Sequence, residues 1–473
     1  MSHQRARPRP ARAGVAGCAA LSGLVLLVPL AGCAPRASSA ARFPDVQRML
    51  DTRARAVQRH DEASFLAVVD PRATAFRAHQ RATFGNLAGI PLTDWHYDLD
   101  ATDAFPLPDG GSGERLAAKV RLRYRLKGYD TAPVNTVQYL TLTERDGRWL
   151  ISSDTDGAAS GHSGTRQLWD QGPVRMVRGR HSLVLGGARD PGRLKDLARR
   201  ADQAVPAVSA AWKGRWAQKV VVEAPDSVGG MAQLMGSDDP SGYVGIAAVT
   251  TGEAGVTTAA PADRVIINPA AYEELNDLGR RVVLTHETTH VATRTVTTAA
   301  TPLWLSEGFA DWVAYRGVRR KPATAAPELT RAVHTGALPD RLPTDADFGF
   351  RAGADRLAKA YEGSWLACRM IAERWGEAKL LAFYRAAGRS AARASAAGGG
   401  AAPMEAATAA PPATEASAAP AGPRPASPAA VPLPRTPAVA DRTDRAMRSE
   451  LGLGMAEFTR EWRAYVRKVL LRR

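Results

Sequence analysis

The chain has 473 residues, 45% hydrophobic and 23% charged, with a formal charge of +16. That is enough apolar material for two or three packed domains, which excludes a wholly disordered chain. One long apolar run, residues 13–32, excludes a multi-pass membrane protein, and three cysteines exclude a disulfide scaffold.

Arg5, Arg7, Arg9 and Arg12 precede the apolar run, which ends in Leu30-Ala31-Gly32-Cys33. A basic start, an apolar stretch and small residues before a cysteine resemble a bacterial lipoprotein signal. The resemblance implies a signal peptide over 1–32, a lipid on Cys33 and a short tether over 33–42. It also implies an extracytoplasmic chain held at the cell membrane by that lipid. A transmembrane anchor with an incidental cysteine is the other reading of the run. The remaining basic residues are scattered and form no recognition motif, so nucleic acid is not expected as a partner.

Residues 43–160 read as a small N-terminal α+β domain. Phe43, Val46, Met49, Leu50 and Val57 have helical spacing. Val120, Leu122, Tyr124 and Leu126 alternate with basic residues as in a half-buried strand. Two further runs, 137–143 and 148–152, flank Asp146-Gly147, a hairpin turn signal. Helices followed by an antiparallel sheet resemble the cone of nuclear transport factor-like and cystatin-like folds. Such a domain binds a ligand or spaces the next domain from the membrane.

Residues 166–388 read as a second, larger domain. Strands are expected at 181–185, 219–223, 242–250 and 264–267, where β-branched residues cluster. Leu194, Leu197, Ala201, Val205, Val208 and Trp212 line one face of a helix. Further helices are expected at 278–293, 302–315, 357–375 and 377–387, with Thr301 as N-cap and Pro302 in the first helical position of the second of these. Cys368 falls in an apolar helical pattern and reads as a small core residue. Residues 389–440 hold ten of the 32 prolines among Ala, Gly, Ser and Thr, and read as a disordered Pro/Ala-rich insertion. Residues 441–473 regain helical spacing through Met455, Phe458, Trp462, Val466 and Val469, and read as the C-terminal helix of the second domain.

His286-Glu287-Thr288-Thr289-His290 carries the chemistry. On a helix, residues four apart point the same way, so His286 and His290 can offer imidazoles to one zinc ion. Glu287 lies beside them and can reach a water on that ion. Sixteen residues after His290 comes Glu307, inside Trp304-Leu305-Ser306-Glu307-Gly308-Phe309-Ala310-Asp311. The two strings together resemble the gluzincins, the thermolysin-like and aminopeptidase N-like zinc metallopeptidases. The resemblance implies a metallopeptidase domain with a mixed sheet and a mainly helical C-terminal part, so the fold class expected for the whole chain is α+β. It implies Zn2+ on His286, His290 and Glu307, and Asp311 hydrogen-bonded to a ligand histidine. It also implies Glu287 as general base and a peptide or protein as substrate. Tyr361 is the candidate donor to the oxyanion, with His334 and Tyr315 as rivals.

Aminopeptidase N-like enzymes bind the substrate amino terminus through a G-x-M-E-N string. The nearest string here, Gly229-Gly230-Met231-Ala232-Gln233, lacks the acid. The expectation is therefore an endopeptidase, with residues 243–250 or 264–267 as a strand to which peptide adds. Two rival classes stand beside it. One is a catalytically inactive metallopeptidase-like lipoprotein that binds a ligand or envelope polymer. The other is a structural tether between membrane and wall, which needs neither metal nor Glu287.

Overall fold

The computed structural model describes residues 43–110, 113–187, 190–251, 263–349, 353–389 and 437–472. The expected signal peptide, the tether with Cys33, and residues 390–436 of the expected insertion lie outside them. The ends of that insertion are helical, since Arg389 closes one helix and Pro437 opens another.

The first half builds three helices, α1 (Pro44–Arg59), α2 (Glu62–Ala67) and α3 (Thr74–Asn86), and then a meander. Its strands β1 (Leu92–Ala101), β2 (Arg115–Leu126), β3 (Val134–Arg145) and β4 (Arg148–Ser153) pair antiparallel in that order. Val120, Leu122, Tyr124 and Leu126 of β2 turn inward and are buried. The intervening Arg121, Arg123 and Arg125 face outward and pair across the strand with Asp100, Asp98 and Asp94 of β1. Cross-strand pairs of this exposed kind contribute a few tenths of a kcal/mol each, roughly, so they set register more than stability. Asp146 and Gly147 both take positive φ, 51° and 74°, as the tight β3–β4 turn requires. Helix α1 runs along the outer edge of β1. Gln47 donates to Tyr97 O and accepts from Leu99 N, and Gln58 donates to Trp95 O. At the opposite edge, β4 exchanges backbone bonds with Val68 and Asp70 through Ile151.

After the short helix α4 (Leu168–Gln171) comes a second sheet. Strands β5 (Val174–Arg178) and β6 (Ser182–Gly187) lead into α5 (Pro191–Ala211) and β7 (Val220–Ala224). Helix α6 (Val228–Leu234), β8 (Ala248–Thr250) and β9 (Arg264–Ile267) complete it. The order is β5-β6-β7-β9-β8, with β6, β7 and β9 parallel and the two outer strands antiparallel. The parallel strands are apolar runs buried on both faces. Val184, Val222 and Val265 pack against Leu194, Leu197 and Val205 of α5. Leu183, Leu185, Val221 and Ile266 face the other way and join the core of the first sheet.

A buried ion cluster ties the two sheets. The Arg264 guanidinium donates to both oxygens of Asp130, in the loop after β2, at 2.7 and 2.8 Å, and lies 3.5 Å from Glu223 of β7. Burial raises the Glu223 pKa, opposed by Arg264. The described residues form one compact unit.

The last part is helical: α7 (Pro269–Glu273), α8 (Asp277–Thr293), α9 (Leu303–Tyr315), α10 (Pro322–Ala325), α11 (Pro327–His334), α12 (Ala354–Trp375), α13 (Glu377–Arg389), α14 (Pro437–Leu451) and α15 (Met455–Leu470). Gly308 of α9 meets α12 so closely that a Cβ there would lie 2.2 Å from the Ser364 carbonyl oxygen. Cys368 is free and fully buried at the same contact, its thiol 3.9 Å from Leu305 O. Trp462 of α15 donates its indole N–H to Gly363 O of α12. No helix among the described residues is long and apolar enough to cross a membrane.

Four expectations differ from the structure. Only Ala248–Thr250 of 242–250 is strand; Ser241–Tyr243 is a 3-10 turn, because Asp239 takes the Ser241 backbone N–H and hydroxyl. Residues 264–267 cannot accept an added strand, since β9 is paired on both sides. Helix α9 starts one residue later, with Pro302 as N-cap: the Thr301 hydroxyl accepts from Thr298 N instead, and Asp345 caps Leu303 N. The C-terminal segment is two helices, broken at Gly452, whose φ of 80° ends α14.

Candidate metal centre

Helix α8 is capped by Asn276, whose side chain accepts from Gly279 N. From Val282 to His290 every residue is buried. The buried threonines need no outside partner, because Thr285, Thr288, Thr289 and Thr293 each donate to the carbonyl one turn back. A polar helix thus enters the core with its hydroxyls satisfied, leaving His286, Glu287 and His290 to face other elements.

Helix α9 brings Glu307 and Asp311 to the same place. His286 Nε2 lies 3.0 Å from His290 Nε2 and 3.2 Å from Glu307 Oε2, and His290 Nε2 lies 3.5 Å from that oxygen. All three residues are buried. Three donors on a tetrahedral zinc with bonds of about 2.0–2.1 Å would stand about 3.3 Å apart. The triangle therefore has the size that one zinc ion needs, and two neutral imidazoles with a carboxylate are a donor set that zinc accepts. Asp311 Oδ1 lies 2.8 Å from His286 Nδ1, which places that ring's proton on Nδ1 and turns the Nε2 lone pair toward Glu307 and His290.

Without an ion, the groups of the triangle set one another's charge. Burial opposes ionisation of Glu307, but His290 and His286 outweigh it and hold its pKa down at about 2. Burial also works against a charged His286, yet Asp311 and Glu307 push its pKa well above the ordinary value. Glu287 is raised by burial, opposed by both histidines and by a bond from Thr250. Thr250, on β8, donates its hydroxyl to Glu287 Oε2 at 2.6 Å. The other oxygen, Oε1, is buried without a protein partner. A carboxylate fixed through one oxygen, with the other unengaged, can take a proton. Behind His290, Arg294 pairs with Asp263 and donates to Thr251 O, pinning the end of α8 to the strands.

Tyr361, on α12, is buried with its ring 6.4 Å from that of His286 and edge-on to Phe348. His334 is exposed at the end of α11, and Tyr315 packs on Trp365. Of the three tyrosine and histidine candidates, Tyr361 is the one whose ring packs against a member of the triangle. Gly229, Gly230 and Met231 sit on α6, and Met231 packs into the core of the first sheet. Sequence reasoning did not find Thr250, which lies 37 residues before Glu287 with no local signal.

The chain matches no protein-family model, and no curated protein matches it in sequence.

Proposed function

We propose that the chain is a zinc metallopeptidase of gluzincin type, exported and held at the membrane through Cys33, and that it cleaves within peptides. The observation that carries this reading is the buried triangle of His286, His290 and Glu307 with the Glu287 Oε1 unengaged beside it. His286, His290 and Glu307 would hold the zinc, which when bound supplies Lewis acidity to water and to a peptide carbonyl. Glu287 takes the proton of the attacking water at Oε1 and passes it to the leaving nitrogen. Thr250 keeps that carboxylate oriented through its other oxygen. Tyr361 donates to the oxygen that gains charge. Among the described residues β8 pairs with β9 alone, and its last residue, Thr250, meets Glu287.

Metal analysis of the wild type beside His286→Ala tests the site. About one zinc per chain is expected in the first and little in the second. Glu287→Gln is expected to keep its zinc and to lose about 10²–10⁴ in turnover on a peptide library. Zinc without turnover in the wild type would favour an inactive binding protein. No zinc in either, after reconstitution, would reject the metal centre. Faster cleavage of dipeptide amides than of internally quenched peptides would reject the endopeptidase preference.

A further inference from the structure

The first half of the chain lines a partly open cavity of about 430 Å3, remote in sequence from the metal centre. Arg53 of α1 lines it, 7% exposed, and among the described residues no carboxylate pairs with its guanidinium. One terminal nitrogen donates to Gln80 Oε1, and the group lies 3.8 Å from the Phe65 ring centroid and 6.0 Å from that of Tyr97. The other, Nη1, is buried with no partner. Two more buried donors of the same cavity lack partners, the Thr83 hydroxyl and the Trp95 indole N–H. Of the three carboxylates that line the cavity, Asp154, Asp170 and Asp238, none pairs with Arg53 among the described residues; Asp170 accepts from Gln167 N and Asp238 from Ser163.

A guanidinium taken out of water without a counter-ion is costly, and so is each unsatisfied N–H. Water can satisfy the hydroxyl and the indole, but it cannot neutralise the charge. An oxyanion does both, and Arg, Thr and Trp donors suit its several lone pairs. The aromatic lining gives such a ligand an apolar body to rest on.

We propose that this cavity binds a small organic carboxylate with an aromatic body. The carboxylate meets Arg53 Nη1, Thr83 Oγ1 and Trp95 Nε1, and the body lies among Phe65, Trp95 and Tyr97. Nothing in this assignment depends on the metal centre, and its test reads no hydrolysis.

The test is calorimetric titration of the full-length chain with benzoate, phenylacetate and indole-3-acetate, each beside its neutral amide. One-to-one binding of at least one acid is expected, at least tenfold tighter than its amide. Arg53→Gln should abolish the preference for the acid. Thr83→Val, which keeps side-chain shape, and Trp95→Phe, which keeps an aromatic ring but removes the indole N–H, should each weaken the acid severalfold. Absence of saturable binding of every acid at millimolar concentration overturns the proposal. Equal affinity for acid and amide overturns it as well, and that comparison stands on the wild type should Arg53→Gln not fold.

Discussion

Asp311 and Glu307 are one helical turn apart and play different parts. Glu307 lies against both histidine Nε2 atoms, whereas Asp311 touches only the far side of His286. Asp311→Asn keeps an acceptor for His286 Nδ1 but removes its charge. Zinc affinity is expected to fall by about 10–100-fold, read by competition with a chromophoric chelator. An unchanged affinity would show that the hydrogen bond alone orients the ring. Tyr361→Phe keeps the ring that packs on His286 and Phe348 and deletes the hydroxyl. Turnover should drop by about 10²–10³ with zinc retained; full turnover would remove Tyr361 from the mechanism. The two histidines and Glu287 are legible in the sequence because helical spacing places them, whereas Glu307 is expected only from the resemblance of the string around it. Thr250 is not, because β8 meets α8 through the tertiary fold.

Among the elements, α11 and α12 are joined by a titrating contact. Glu362 of α12 accepts from the backbone N–H groups of Glu328 and Leu329, and so caps α11 from outside. Burial pushes its pKa up to about 7, against the pull of those N–H groups. Its folded pKa lies above its unfolded one, so the folded chain binds the extra proton. This group's contribution to stability is therefore greatest at low pH and declines as pH rises from about 4.5 to about 7. In Glu362→Gln that decline is expected to vanish, so the melting curves of variant and wild type should diverge across this window. Parallel curves would show that the carboxyl stays solvated. At this scale, sequence reading succeeds where periodicity is long and local. Helix α5 and strand β2 have clear apolar faces, and both form. Strand β1 was not anticipated although Trp95, Tyr97 and Leu99 alternate with Asp94, His96 and Asp98. The glycines at 242 and 245 and the Asp239 turn defeat the longer strand expected around them.

For the whole molecule, the junction between sheets rests on Arg264 and Asp130, 134 residues apart. Asp130→Ala would take the doubly bonded carboxylate from the buried guanidinium, which keeps Glu223 at 3.5 Å and the Asp263 carbonyl at 3.3 Å. Loss of a buried partner of this kind costs about 3–5 kcal/mol, and denaturant unfolding should read it. A loss below about 1 kcal/mol would mean the charge is hydrated after all. Nothing local in the sequence announces this pair, since Asp130 reads as a turn residue and Arg264 as the start of a strand. The α+β character was legible from the order of helical and alternating segments. The shared core was not, because it depends on which face of β6, β7 and β9 meets the first sheet.

The glutamines of α1 and the Val68–Asp70 segment have one more effect. Between them they engage the outer edge of β1 at Trp95, Tyr97 and Leu99 and that of β4 at Ile151. An extended segment, whether from a neighbouring copy or from a polypeptide passing by, finds those backbone groups already taken. The two ends of the meander thereby resist the edge-to-edge growth that seeds fibrils.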